Sequence, residues 1–518
     1  MDNNTREQFG SRLGYILVSA GCAIGIGNVW KFPYICGQYG GAIFMLIYLL
    51  FLVILGIPIL TTEFAIGRGS QRSAARAYDV LEPNGTKWHW YSWFSIIGCS
   101  LLMMYYTTVA GWMMNYGLKH IAGTFVGKSP EEVTGGFGEM LGNPLELTFW
   151  TVLVCLIGFT VCYFGIQRGI ERVTKYLMVA LLVLMLILAI HSVFLDGADA
   201  GVRYYLVPNL ENIADHGLGE VVFNAMSHAF FTLSIGVGSM LIFGSYIGRS
   251  RSLMGESVVI TGLDTFVALT AGFIIIPSCF AYGVEVGAGP SLIFITIPNL
   301  FTQMPGGRWW GAVFFIFLTF AAMSTVVAVF EGIIAFFMDR FDWERKKSTV
   351  VSGIAITLLS MPCVFGFNIW SKIQLLGEGS SVLDFEDFIV SNNLLPLGSL
   401  AFVLFCTSRN GWGFENFIAE VNSGKGLKMP ANKVAKFYMT WILPLVIIAV
   451  YLKGYWDMFK PEVGFDGRFF GWMAFALLFL MFIMFVAIWG GHKRAEKQQY
   501  IQPVFVFWLG HSTHLRLR

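Results

Sequence analysis

Two short stretches with paired glycines interrupt long apolar segments of this chain, AIGIGN at 23–28 and SIGVGS at 234–239. Glycine disfavours the middle of a helix, so both segments are predicted to unwind there. In lipid, unwound backbone is tolerated only where protein buries it or where it lines a wet cavity, because stray amides and carbonyls are costly. The freed backbone groups could bind a polar ligand, and matched breaks in two halves are typical of transporters. The alternative is close helix packing through small residues.

The composition places both breaks in a membrane protein. Of the 518 residues, 56% are hydrophobic and 13% are charged, and the mean hydropathy is +0.66. The first apolar stretch runs into the glycine break rather than into a cleavage site, so we expect no signal peptide. Twelve stretches are long enough to span a membrane, and they begin near residues 12, 41, 90, 145, 170, 220, 255, 308, 347, 382, 434 and 468.

The basic residues predict the orientation. An amino terminus in the cytoplasm puts most of the 34 Lys and Arg residues on that side, as the positive-inside rule requires. We therefore expect a multi-pass protein of the cell membrane with both termini in the cytoplasm. The clusters that carry this prediction are Arg68, Arg72 and Arg76; Arg168, Arg172 and Lys175; Arg340, Arg345, Lys346 and Lys347; and Lys425, Lys428, Lys433 and Lys436.

Several classes of protein do not fit the sequence. A net charge of +2 is too small to indicate a nucleic-acid partner. The eight cysteines form no CxxC pair, and the eight histidines lack ligand spacing, so we expect neither a structural disulfide nor a metal-ion centre of that kind. GxSxG, Walker and HExxH arrangements are also missing, and we expect no enzyme activity.

Four motifs together resemble the neurotransmitter:sodium symporter family: RLG at 12–14, GIGNVWKFP at 25–33, Tyr105-Tyr106, and FFTLS at 230–234. The similarity runs from about residue 6 to residue 490. It implies the leucine-transporter fold, an all-α polytopic membrane protein with 12 transmembrane helices and a 5+5 inverted repeat in which helices 1 and 6 are discontinuous. The implied organisation is a single transporter domain at 1–490 with repeats at about 12–192 and 220–407, extra helices at about 434–490, and a cytoplasmic tail at 491–518.

The resemblance also implies a substrate site at the two breaks. The half-helix amino end after Gly25 suits a carboxylate, with the Tyr106 hydroxyl as a second donor, unless Tyr106 only packs between helices. Amine carriers of the family have an aspartate at the position of Gly25, so its absence favours an amino acid. Carbonyls of the second break suit the ammonium group. The complete set is Ala23, Gly25, Gly27, Leu102, Tyr106, Phe231, Thr232, Ser234, Val237, Thr325 and Val329.

The part of this set that would surround the substrate side chain is apolar. A charged side chain would be buried there without a partner, so the expected cargo is hydrophobic. Compared with the family's leucine carrier, Val237 and Val329 are smaller and Leu102 is larger, a change that could admit an aromatic ring.

Two sodium sites carry over from the family by position, and their oxygen ligands suit a hard cation. The first would use the Ala23 carbonyl, the Asn28 side chain, Thr232, Asp264 and the substrate carboxylate. Chloride-dependent relatives have a neutral asparagine at position 264 and a serine at position 268, which is alanine here. We therefore expect Asp264 to replace chloride, the alternative being that it is only a charged sodium ligand. The second site would use carbonyls of Gly21, Ile24 and Ala321 with hydroxyls of Ser324 and Thr325.

Gates map to both sides of the substrate. Outside, Lys31 and Asp387 could close over it. Inside, Arg6 could pair with Asp339, braced by Tyr246. Three further expectations concern Glu63, which would hydrogen-bond unwound backbone; Val179, where relatives often have a proline; and a helical hairpin at about 285–310 that covers an opening.

These observations predict sodium-coupled symport of hydrophobic amino acids, with an amino-acid substrate, sodium ions and the lipid bilayer as partners. A proton-coupled carrier of the same fold would usually place a cation at a sodium position, and none maps there. A channel would need a continuous polar pore, whereas the polar residues cluster near the two breaks.

Overall fold

Long apolar helices make up the protein. The computed structural model describes residues 9–213, 217–284, 290–460 and 467–489, and the tail predicted at 491–518 lies outside them. Within these ranges, ten helices are long and apolar enough to cross a membrane. In chain order they are α2 (Ala42–Ser70), α3 (Trp88–Ala122), α4 (Pro144–Tyr163), α5 (Ile166–Val193), α7 (Leu253–Tyr282), α8 (Gly307–Phe341), α9 (Arg345–Gly366), α10 (Val382–Thr407), α11 (Lys433–Phe459) and α12 (Gly467–Ile488).

Two broken helices complete the set. The first, α1, consists of Arg12–Ala23 and Ile26–Gln38, which meet at an angle of 68°. The second, α6, consists of Leu218–Phe231 and Ser239–Ser245. With α1 counted as one span, the described ranges contain eleven apolar spans, and α6 is a further broken helix, in rough agreement with the predicted twelve. Both interruptions lie where the paired glycines indicated. The predicted discontinuity of helices 1 and 6 is therefore confirmed.

The break in α6 depends on backbone that only glycine adopts easily. Gly236 has φ 108°, and a Cβ at this position would lie 2.0 Å from the Leu395 carbonyl oxygen. The Gly236 amide donates to Glu63 Oε1 on α2 at 2.6 Å. The expected hydrogen bond from unwound backbone to Glu63 is thus present, and it satisfies a donor that the broken helix leaves free.

The broken helices lie at the centre of the molecule. The most apolar part of α8 is 78% buried within the protein, whereas that of α12 is only 22% buried. In α1, every residue from Gly14 to Ala23 is buried. Lipid can cover apolar side chains but cannot hydrogen-bond free backbone groups. The broken helices therefore need to be buried within the protein, whereas the unbroken α12 can face lipid.

A buried arginine fixes the loops at the cytoplasmic end of α2, as the predicted orientation places it. Arg68 is fully buried, and its Nε lies 2.7 Å from Glu420 Oε1. It also donates to the Arg251 carbonyl at 2.6 Å and to the Ser423 hydroxyl at 2.7 Å. Arg249 lies 3.0 Å from the other oxygen of Glu420. Arg68, one of the basic residues from which the orientation was predicted, therefore holds two loops against α2.

Two other expectations concern helix α5 and the outer hairpin. Helix α5 continues without interruption through Val179, so the chain keeps regular helix where relatives often have a proline. Of the hairpin, residues 285–289 lie outside the described ranges. The rest forms helix from Leu292 to Gln303, and Phe294 packs edge-on against Trp112 of α3 with ring centroids 5.6 Å apart.

Replacing Gly236 with alanine should destabilise the protein. The positive φ alone costs about 1–2 kcal/mol for a residue with a Cβ, and the contact with the Leu395 carbonyl adds to this. Thermal unfolding in detergent should show a lower midpoint for Gly236→Ala. The matched control is Gly248→Ala, whose new Cβ would meet nothing within 4 Å. Equal midpoints for the two variants would contradict this account of the break.

Candidate functional site

The break in α1 faces the Tyr106 hydroxyl of α3. The Ile26 amide donates to this hydroxyl at 3.1 Å, and the Gly25 amide donates to Asn28 Oδ1 at 3.2 Å. A Cβ on Gly25 would lie 2.9 Å from the Tyr106 oxygen and 3.6 Å from Thr325 Oγ1, whereas a Cβ on Gly27 would meet nothing within 4 Å. The unwound backbone thus borders open space beside a buried hydroxyl and the amino end of a half-helix. Such a place favours an anionic group.

A buried polar cluster joins α1, α6 and α7 beside this break. The Asn28 amide donates to Asp264 Oδ1 at 2.8 Å and to Thr232 Oγ1 at 3.3 Å. The Thr232 hydroxyl donates to Asp264 Oδ2 at 3.0 Å. Asp264 itself is 0% exposed. A carboxylate at such a place in a membrane protein marks an ion pathway by default, because the charge needs a cation or a proton to balance it.

A second group of oxygens joins α1 to α8. The Thr325 hydroxyl lies 3.0 Å from the carbonyls of both Gly21 and Ile24. The Ser324 hydroxyl lies 2.8 Å from the Ala321 carbonyl and 3.2 Å from that of Gly21. The structure therefore brings all five residues of the predicted second sodium site together. Their oxygens are uncharged and hard, a donor set that suits an alkali cation.

The predicted side-chain pocket consists of buried or half-buried apolar residues. Leu102, Val237 and Val329 are buried, and Phe231 is half-buried. Val237 packs against α3, since a Cβ on Gly98 would lie 3.0 Å from it and the Cys99 thiol donates to its carbonyl at 3.6 Å.

Two of the predicted backbone carbonyls, those of Ser234 and Ala23, lie at the breaks in α6 and α1. Ser234 has a positive φ of 51°, and its carbonyl accepts from the Ser239 hydroxyl at 3.3 Å. The Ala23 carbonyl lies 3.7 Å from the position of a Cβ on Gly25, at the edge of the same break.

The outer gate differs from the predicted pairing. Among the described residues no ion pair joins Lys31 to Asp387. Instead, Asp387 Oδ1 accepts from the Tyr105 hydroxyl at 2.9 Å and from the Ser391 hydroxyl at 2.7 Å. The Lys31 ammonium lies 4.6 Å from the centre of the Phe231 ring. In this arrangement, Lys31 contacts a ring and Asp387 is bound by a phenol and a hydroxyl, in place of the predicted ion pair.

Of the residues predicted for an inner gate, Asp339 and Tyr246 are described, whereas Arg6 lies outside the described residues. Asp339 Oδ2 accepts from the Ser73 amide at 2.6 Å. The Tyr246 ring lies 5.6 Å from that of Phe9.

The hydroxyl of Tyr246 has a partner that the sequence analysis did not find. It donates to Glu331 Oε1 at 2.6 Å, and Glu331 makes two hydrogen bonds of 2.8 Å each to Arg345. Glu331 is 1% exposed. A carboxylate inside an apolar span was the available signal for this buried pair.

One group of potential metal ligands lies away from these sites. Asp79, Glu82 and His89 bring ligand atoms within 4.8 Å of one another. Glu82 Oε1 and His89 Nδ1 lie 2.6 Å apart, and Asp79 lies 3.8 Å from Arg340. Pairing of these side chains with one another and with Arg340 accounts for the grouping.

Comparisons with known proteins agree with this geometry. Residues 6–129 and 139–495 match the Sodium:neurotransmitter symporter family. The chain is 32% identical over 459 residues to the sodium-dependent transporter YhdH of Bacillus subtilis, covering 88% of this chain and 98% of that protein. It is 25% identical over 521 residues to the sodium-dependent serotonin transporter of Drosophila melanogaster, covering 88% and 78%.

A solved structure supports the same conclusion. The crystal structure of MhsT in complex with L-phenylalanine matches with a TM-score of 0.76 and 36% identity, covering 86% of this chain and 99% of that one. The family match spans nearly the whole chain, and the broken helices lie where the leucine-transporter fold has them. The chain therefore belongs to the sodium:neurotransmitter symporter family.

Proposed function

We propose that this protein carries hydrophobic L-amino acids, aromatic ones included, into the cell together with sodium by alternating access. The observation that carries the proposal is the break at Gly25. The Gly25 and Ile26 amides and the Tyr106 hydroxyl lie together there, a Cβ on the nearby Gly27 would meet nothing within 4 Å, and Gly25 supplies no side-chain carboxylate. A substrate that brings its own carboxylate would complete the site.

The apolar lining supports a hydrophobic cargo. Leu102, Val237 and Val329 offer no hydrogen-bond partner, so a charged or strongly polar substrate side chain would be desolvated without compensation. MhsT, the similar protein of known structure, was crystallised with L-phenylalanine. That ligand supports the inclusion of aromatic side chains.

Two sodium sites would link the ion gradient to the substrate. In the first, the Asp264 carboxylate, Asn28 and Thr232 would hold an ion beside the substrate carboxylate. In the second, an ion would lie between α1 and α8. The carbonyls of Gly21 and Ile24 would hold it together with oxygens of α8, which are the Ala321 carbonyl and the Ser324 and Thr325 hydroxyls. Each ion would stabilise the contact of broken α1 with its neighbours, so ion binding and helix position would be coupled.

Chloride would not be needed. Asp264 supplies a fixed negative charge beside the first ion, and the neighbouring position 268 is a buried alanine with no group to bind an anion. These features support the view that the carboxylate balances the sodium charge in place of chloride.

The remaining features fit a carrier of the cell membrane rather than an enzyme or a channel. The basic clusters support cytoplasmic termini for the single transporter domain. The second candidate is a proton-coupled carrier of the same fold. The oxygen-only second site, which offers no titratable group, favours sodium over protons there.

Uptake should be sodium-driven and electrogenic. Two sodium ions that enter with a zwitterion would draw about 2.3 kcal/mol per charge per 100 mV from the membrane potential. Radiolabelled L-phenylalanine and L-leucine uptake into proteoliposomes, with sodium, potassium and pH varied separately, measures this. Uptake that persists without sodium and follows a pH gradient would support the proton-coupled candidate instead.

Gly25→Asp should abolish amino-acid uptake. The new carboxylate would lie beside Tyr106 and face the substrate carboxylate, and two like charges 4 Å apart repel by about 4 kcal/mol at an effective dielectric constant of 20. That energy corresponds to about a thousandfold weaker binding. The control is Gly219→Asp at the exposed start of α6, where a Cβ meets nothing within 4 Å. Normal uptake by the Gly25 variant would refute the proposed substrate orientation.

Asp264→Asn should make uptake depend on chloride, most strongly when combined with Ala268→Ser, because the substitution removes the charge that balances sodium. Uptake measured in chloride and in gluconate distinguishes chloride-dependent transport from transport that does not need chloride. The parent protein and the exposed Asp199→Asn control should transport equally in both salts. A parent protein that fails in gluconate, or an Asp264→Asn variant indifferent to the salt, would show that Asp264 does not replace the anion.

A further inference from the structure

Glu386 of α10 is a buried acid with no role in the sites above. It is 3% exposed, and neither of its carboxyl oxygens has a hydrogen-bond partner in the parts of the chain that the structure describes. The next residue, Asp387, accepts from both Tyr105 and Ser391. Two adjacent acids therefore have opposite surroundings, one with donors and one without.

The groups around Glu386 come from three helices. On α10 itself, the charged neighbours are Asp384 and Asp387. From α3, Tyr105 and Thr108 face this region, and from α9 the Cys363 thiol lies beside the Glu386 carboxyl. The nearby cation, Lys31 of α1, interacts electrostatically with Asp387, and the polar neighbour of the buried Glu386 is the Cys363 thiol. In the described part of the chain, Glu386 thus has a thiol nearby but neither a counter-charge nor a hydrogen bond.

An ionised carboxylate in these surroundings would cost several kcal/mol, because it would be removed from water without a cation or strong donors. A neutral carboxyl avoids most of that cost. In the arrangement seen here, with α10 bonded to α3 through Asp387 and Tyr105, these surroundings favour the neutral carboxyl of Glu386 over the carboxylate.

We propose that Glu386 is a proton-binding site of the outer gate, filled when α10 closes against α3 and α9 and emptied when they separate. The inference rests on the proposed alternating access, in which opening of the outer vestibule admits water between these helices. The proton comes from the outer solution on closing and returns there on opening, so the cycle moves no net proton across the membrane. Glu386 would thereby make outer closure sensitive to external pH without making the protein a proton-coupled carrier.

The direction in which pH changes substrate affinity depends on which state binds the proton more tightly. Since the closed state binds it more tightly than the open state, acidification favours closure and strengthens substrate binding from outside. Where closure takes up one whole proton, the apparent affinity changes at most tenfold per pH unit.

Proton uptake on substrate binding tests the proposal directly. The full-length protein in detergent, with sodium and a weak buffer, receives L-phenylalanine while a pH indicator records protons taken up. The difference between the parent protein and Glu386→Gln should approach one proton per molecule. Glu378→Gln, an exposed acid in the segment that precedes α10, is the matched control and should behave like the parent. Equal proton uptake by the parent and Glu386→Gln would overturn the proposal.

A second measurement does not depend on the substrate. The infrared difference spectrum of parent minus Glu386→Gln, in sodium at neutral pH, should contain the carbonyl band of a protonated carboxylic acid. Glu386→Leu, which places an apolar side chain in apolar surroundings, serves if the glutamine variant does not fold. A missing band would refute the proton site, whatever the substrate. A clear band with no response to L-phenylalanine would leave the proton site standing and count against the proposed substrate.

Discussion

The requirement that every backbone polar group be satisfied inside the membrane governs this structure. Unbroken helices such as α12 meet it by themselves and can lie at the lipid boundary. The broken helices α1 and α6 cannot, so they occupy the centre, where neighbouring side chains take up the freed groups. Glu63 accepts the Gly236 amide, the Tyr106 hydroxyl accepts the Ile26 amide, and the Thr325 hydroxyl reaches two carbonyls of α1. The contacts that satisfy the broken helices thus involve the same residues as the proposed binding site.

Buried charged side chains must be satisfied in the same way. Glu331 and Arg345 are buried as a pair with two hydrogen bonds, and Arg68 is buried with Glu420. A buried ion pair of this kind contributes little net stability. A rearrangement that separates the partners is costly, because it leaves a buried charge without compensation. Within the described ranges, neither Asp264 nor Glu386 has a basic partner of this kind, and we propose a small cation for each, sodium in one case and a proton in the other.

Much of this architecture could be predicted from sequence, because span length and glycine content are local properties. The starts of the spans, both breaks and the role of Glu63 were predicted from individual residues. The five residues of the second sodium group also converge as the family resemblance implied. The partners of Glu331, Asp387 and Arg68 could not be predicted, since each lies on a helix or loop far away in sequence. Which carboxylate lacks a partner is likewise a property of packing, so Glu386 could not be distinguished from Asp387 by sequence alone.

The hydroxyls of Ser324 and Thr325 lie within hydrogen-bond distance of carbonyls in the same group of oxygens that would bind the second sodium ion. When an ion leaves such a group, rotation of the two hydroxyl hydrogens restores hydrogen bonds to the carbonyls, and no oxygen is left bare in the membrane interior. Once the ion has left, the oxygens of this group are hydrogen-bonded to one another, and the carrier can turn back toward the outside without cargo. A carrier that returns empty can build up its substrate, whereas one that must return loaded can only exchange it.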